Sequence, residues 1–184
     1  MNTMKCITAI LFLFVITSCT ENDKKINEED RITENWDKAQ FYDDLAFTGL
    51  DSLGKIIQIS DSIIAYNWNA NDKNPANVYS YIVDAYGKFD SRIEKKLVLN
   101  DIQKKSLIHL ITDSMNYEGS NSMCFIPHIA FVYYKKSKII GQSNVCFLCS
   151  GIKSVPKSTT ALNKRGNKKL KNFCRNLGLK IVDK

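Results

Sequence analysis

The residue types able to do chemistry gather in two segments of this 184-residue chain, Cys124-Phe-Ile-Pro-His128 and Cys146-Phe-Leu-Cys149. They flank two apolar runs that meet at Lys135-Lys136-Ser137-Lys138, so the sequence predicts a β-hairpin with three thiols and an imidazole near its open end. If Lys136-Ser137 forms a two-residue loop, Cys124 faces Cys149. If the loop runs from Lys136 to Lys138, His128 faces Cys146. Pro127 cannot donate to a ladder and favours an edge or a bulge nearby.

Three chemistries fit this set. The first is structural: a disulfide from Cys124 to Cys149 or Cys146 closes the hairpin end, with Cys174 pairing the remaining thiol or staying buried as a small apolar residue. Such a bridge stabilises by ~2–4 kcal/mol on the loop-entropy account. The second is a tetrahedral zinc site made of Cys124, His128, Cys146 and Cys149. Cys146 and Cys149 are an odd number of residues apart and point to opposite faces of a regular strand, so both reach one ion only if Phe147-Leu148 makes a knuckle. The third is thiol redox chemistry by Cys146-x-x-Cys149, but the motif follows a strand and does not open a helix, the usual source of a low-pKa thiolate. A Cys–His hydrolase pair lacks any visible orienting residue or oxyanion donor. The expectation is therefore no catalytic residue and no cofactor, with zinc as the alternative.

The elements that hold this hairpin follow from periodicity. Asn100 and Gln103 form a capping-box pattern ahead of a helix over residues 101–115, with Leu107, Leu110, Ile111 and Met115 as its apolar stripe. His109 falls off that stripe, on a solvated face. A C-terminal helix over 160–177, capped by Thr160 or Asn163, buries Leu170, Phe173, Cys174 and Leu177 and stops at Gly178. Val78–Tyr86 alternates and turns at Gly87-Lys88 into Phe89–Leu99, which predicts a second hairpin. Ile56–Ile59 and Ile63–Trp68 read as strands around Ser60-Asp61-Ser62, with a helix from Leu50 to Ile64 as the competitor. Trp36–Phe47 reads as a short helix. Asn67–Asn77, with five asparagines, and Ser150–Thr160 read as loops, and Leu179 with Ile181 as a short edge strand. The resulting fold class is α+β, an antiparallel sheet built from β-hairpins packed with two or three α-helices.

The N-terminus sets the compartment. Lys5 is the lone charge before an apolar run from Ile7 to Ile16, too short to span a bilayer, which reads as a signal-peptide core. It ends Ile16-Thr17-Ser18-Cys19, which resembles the lipobox of bacterial lipoproteins, with Ile16 where Leu is the norm. That resemblance implies a signal peptide over 1–18, fatty acylation of Cys19 (palmitate-type chains) and a mature chain anchored in the membrane outside the cytoplasm. Residues 19–34 form a polar tether and 35–184 a single globular domain. Cys6 leaves with the leader and Cys19 carries lipid, so Cys124, Cys146, Cys149 and Cys174 remain where disulfides persist. The acidic residues after Cys19 loosely resemble the surface-export signal of Bacteroidota-type lipoproteins.

The net charge of +7 hides an asymmetry. Residues 19–134 carry 12 basic and 18 acidic side chains, whereas residues 135–184 carry 13 basic ones against Asp183 alone. Outside the cytoplasm such a basic region suits an anionic envelope surface better than nucleic acid, and a solvated lysine-rich helix face is the bland alternative. The hairpin pattern Cys124-Phe-x-Pro-His128, Tyr133-Tyr134, a lysine-rich turn and Cys146-Phe-x-Cys149 resembles a family of uncharacterised lipoproteins of Bacteroidota-type bacteria over residues 78–178. The resemblance implies an outer-membrane location and a shared hairpin, and it attaches no reaction. The expected function is a lipid-anchored cell-envelope module that binds or interacts without catalysis, stabilised by its hairpin cysteines. The alternative is a zinc or thiol-redox protein.

Overall fold

The cysteine-bearing hairpin is the centre of the sheet. In the computed structural model, which describes residues 50–69, 80–84, 86–118, 125–155 and 158–182, β4 (Ile129–Lys135) and β5 (Lys138–Cys146) are adjacent antiparallel strands. The helix expected over 36–47, the leader, the tether, Cys19 and Cys124 lie outside the described residues, as does most of the asparagine-rich loop.

Lys136 and Ser137 both take positive φ (47° and 63°), the backbone of a tight two-residue hairpin turn. Lys135 faces Lys138 and Tyr134 faces Ile139, as that loop length requires. A bulge then adds Ile140 to β5, after which Tyr133 faces Gly141 and Ile129 faces Val145. The two alternative registers thus coexist in one hairpin, the first near the turn and the second toward the open end.

Around this pair the sheet is antiparallel throughout, seven strands in the order β2-β1-β4-β5-β6-β7-β3. β1 is Ser62–Trp68, β2 Ile93–Val98 and β3 Tyr117–Glu118; β6 is Gly151–Val155 and β7 Ser158–Leu162. The expected α+β class is what the structure shows. The loop expected over 150–160 is instead β6 and β7. β6 is buried on both faces, Ile152 on the helix side and Val155 on the other, so it shows no alternation to set it apart from a loop.

Three helices pack on one face: α1 (Leu50–Ile59), α2 (Asp101–Thr112) and α3 (Lys164–Asn176). Ile56–Ile59, expected as a strand, belongs to α1, because Leu53, Ile56 and Ile57 must share one side to reach the core. The competing helix from Leu50 to Ile64 is correct as far as Ile59 and stops there. Ser60 Oγ donates to the Ile57 carbonyl at 2.6 Å, closing α1 and releasing the chain into β1. α2 starts at the expected capping box, with Gln103 N donating to Asn100 Oδ1 and Asn100 N to Gln103 Oε1, both at 2.9 Å. It stops at Thr112, short of 115, because Asp113 accepts from Met115 N and starts a 3-10 turn over Ser114–Asn116. Met115 is consequently exposed, while Leu107 and Ile111 carry the buried stripe. His109 is exposed, as expected.

α3 is capped by Asn163, whose Oδ1 accepts from Gly166 N at 2.8 Å. It ends at Gly178 (φ 68°), with Leu179 N donating to Cys174 O and Gly178 N to Arg175 O, the Schellman pattern. Leu170, Cys174 and Leu177 point into the core beside Phe131, Ile152 and Leu162. The expected edge strand at 179–181 does not form. Asn67 replaces a ladder there: its Oδ1 accepts from Lys180 N and its Nδ2 donates to Lys180 O, each at 2.8 Å.

The opposite face of the sheet is covered by residues 81–84. The expected hairpin over 78–99 is reduced to a bridge between Val83 and Phe89 around Gly87 (φ 78°), because Ile93–Val98 pairs with β1 instead. Two buried amides of β5 hold this segment. Asn144 Oδ1 accepts from Ile82 N at 3.0 Å; Gln142 Oε1 accepts from Val83 N at 3.2 Å while Gln142 Nε2 donates to Val83 O at 2.7 Å. The amide side chains stand in for a missing strand. Tyr81, Ile82 and Val83 are thereby buried against Tyr66, Trp68 and Val132.

Both described edges of the sheet are blunt. β2 exposes Glu94, Lys95 and Lys96, and Lys95 Nζ donates to the Gly178 carbonyl at 2.6 Å; β3 is two residues long.

Candidate functional site

The far end of β5 runs into a turn, Phe147–Ser150, that returns the chain as β6. Ser150 takes a positive φ of 56°, and its carbonyl accepts from Leu162 N at 2.7 Å, tying the turn to β7. α3 lies beside the turn. Asn167 donates to Ser150 Oγ and, at 3.5 Å, to the Phe147 carbonyl. Lys171 holds its ammonium over the Phe147 ring, 5.7 Å from the centroid.

Between these pieces is a groove of about 790 Å³ lined by Glu118, Cys149, Ser150, Asn167 and one face of α3. That face carries Lys164, Lys168, Lys171 and Arg175, spaced i, i+4, i+7, i+11, so all four cations stand on one side. The rotation of α3 is fixed by its buried stripe, and the cationic row is what remains beside the turn. Other basic residues of the helix are used elsewhere: Lys169 Nζ is 3.4 Å from Asp113 Oδ2 and 3.3 Å from Asn116 Oδ1, pinning the helix to the 3-10 turn. The sequence reading covered these cations only as a basic helix face. Glu118, Ser150 and Asn167 carried no signal, since only the fold brings them there.

The cysteines divide by environment. Cys146 is buried and Cys149 half-buried on the groove wall, where the turn lets Cys149 Sγ donate to the Cys146 carbonyl at 3.9 Å. A hydrogen bond with Cys149, followed by burial, pushes the Cys146 thiol well above its ordinary range, against an opposing contact from the Ile126 backbone. Cys174 is pushed up by burial alone, inside the apolar core. Cys146, Cys149 and Cys174 are all thiols here. Phe125 packs on Gly151, its ring 3.0 Å from where a Cβ would stand, and Cys149 Sγ is 3.3 Å from the same point. The chain immediately after Cys124 therefore runs beside both sulfurs of the turn.

His128 is placed apart from the groove. Its ring lines a smaller cavity of about 220 Å³ at the end of β1, with Trp68, Glu94 and Lys180. Burial lowers its pKa below the ordinary 6.5, with the Ile126 backbone and Glu94 opposing the shift and Lys180 adding to it, so the imidazole is neutral at neutral pH. The His128 backbone N–H donates to Val145 O at 3.2 Å, which continues the register toward Cys146. Among the described residues no group of three or more His, Cys, Asp and Glu side chains is arranged to hold a metal ion.

Fold and site together define a class: a seven-stranded antiparallel α+β domain with a cation-lined groove between its last helix and a Cys-x-x-Cys turn. No family model, curated protein or solved structure matches this chain.

Proposed function

We propose that this is a lipid-anchored cell-envelope protein, held in the membrane by acylated Cys19, whose domain is a non-enzymatic binding module with a cysteine-stabilised hairpin. The observation that carries the binding role is the row of Lys164, Lys168, Lys171 and Arg175 along a concave groove. A solvated lysine face needs no concavity and no facing wall. The anchor rests on the apolar leader and the Ile16-Thr17-Ser18-Cys19 sequence, and the outer membrane is the surface it would occupy. Cells expressing the chain and fed a labelled fatty acid should yield a labelled, membrane-partitioning protein, and Cys19→Ala should abolish the label. A Cys19→Ala protein that still takes up label and still partitions to membranes would refute the anchor.

Stabilisation by a bridge from Cys124 to Cys149 or Cys146 is supported by the path of Phe125 and Ile126 beside both thiols. One observation favours the second reading, a zinc or dithiol site: the Phe147–Ser150 turn folds Cys149 back on Cys146, its Sγ 3.9 Å from the Cys146 carbonyl oxygen. Thiol counting on denatured protein, with and without reductant, separates the two. A bridge removes two of the thiols at Cys124, Cys146, Cys149 and Cys174 until reductant is added. All four free together with one equivalent of zinc would overturn the structural reading.

A further inference from the structure

We infer that the groove beside α3 takes an acidic glycan, a chain of sugar units carrying carboxylates, laid along the helix axis; this deepens, and rests on, the binding-module reading above. The four cations cover about 16 Å of helix at the usual rise per residue. They form a line rather than a cluster, which suits a ligand whose charges are spaced along a chain better than one compact anion. The groove wall narrows the class. Glu118 opens onto the same space as the cations, and a carboxylate accepts hydrogen bonds but donates none. Glu118 repels any anionic group set against it, phosphate or carboxylate alike, so the ligand must bring a neutral unit to that wall. Against a sugar hydroxyl Glu118 is a partner. Ser150 adds a neutral polar edge of the kind hydroxyl-rich ligands use. The site is also concave, about 790 Å³, which suits a chain laid into it better than a planar bilayer surface.

The test measures binding of labelled probes to the full-length protein in detergent. The probes are an oligosaccharide of polygalacturonate, a neutral dextran and a single-stranded DNA oligonucleotide; phosphatidylglycerol added to the micelles serves as competitor. Polygalacturonate should bind, dextran should not, and added salt should weaken binding by screening. Lys168→Glu combined with Lys171→Glu should weaken polygalacturonate binding ~10-fold or more, whereas Lys136→Glu with Lys138→Glu at the β4–β5 turn should change it less than ~2-fold. Glu118→Ala distinguishes a hydroxyl acceptor from bulk charge: the proposal requires weaker glycan binding, and tighter binding overturns it. If DNA or phosphatidylglycerol binds through the groove lysines and polygalacturonate does not, the glycan assignment falls while the binding groove stands. If no probe depends on Lys168 and Lys171, both fall.

Discussion

Gly166→Ala is expected to destabilise the domain by about 2 kcal/mol, the reverse of its effect on an open helix face. In a helix interior alanine is favoured over glycine by about 1 kcal/mol. At Gly166 that gain is overrun. An added Cβ would fall inside the van der Waals envelope of the Asn116 carbonyl oxygen and 2.8 Å from the Asn116 Cβ. Backbone cannot rotate away as a side chain can, so α3 must lift off the 3-10 turn, and overpacking of this kind costs ~1–3 kcal/mol or more. The lift also strains three contacts: Asn163 N to Asn116 O at 2.9 Å, Asn163 Nδ2 to Met115 O at 2.8 Å, and Lys169 to Asp113. Thermal denaturation should show a melting temperature lower by roughly 4–8 °C for a domain of this size. An unchanged or raised melting temperature would show that the close approach of α3 to Asn116 is not real.

Gln142→Leu is the second large effect, a loss of about 2–4 kcal/mol with side-chain volume nearly kept. Gln142 has no exposed surface and satisfies both backbone groups of Val83. Leucine would leave a buried N–H and a buried C=O unpaired, at ~1–3 kcal/mol each. Asn144→Leu strands Ile82 N and removes a 3.3 Å donor to Gln142 Oε1, which keeps Val83 N as its partner, so it should cost about half as much. Hydrogen exchange separates this from general loosening. Amides of Ile82 and Val83 should lose protection in Gln142→Leu well before those of β4. Equal loss across the sheet would refute the view that these amides act as a substitute strand.

The helices were legible where local chemistry decides them. Asn100 and Gln103 announce α2, and Leu170, Cys174 and Leu177 announce the buried face of α3, because caps and stripes act within a few residues. The hairpin turn at Lys136-Ser137 was legible in the same sense, although Ile140 as a bulge was not: a bulge is settled by what the neighbouring strand requires. Misreadings occurred where tertiary context overrides pattern. Ile56–Ile59 is β-branched and strand-like in isolation, yet helical because its side chains must meet one core. Residues 81–84 alternate like a strand and bind through Gln142 and Asn144, a partnership no local pattern encodes. The candidate site shows the same division. Its cations were visible as composition and its thiols as a motif. That a turn from one and a helix from the other would wall a single groove depends on the β5-β6-β7 order, which spacing alone does not give.

The proposed lipid anchor would confine copies of the protein to a plane and raise their local concentration. In that crowd a sheet with a long, flat, apolar margin is a template on which copies can stack strand to strand. Among the described residues the margins of this sheet offer no such purchase. One, β2, presents Glu94, Lys95 and Lys96 to the solvent, and the other, β3, is two residues long. The same lysines that make β2 a poor partner for another strand would keep crowded copies from pairing edge to edge and leave the proposed groove on α3 open.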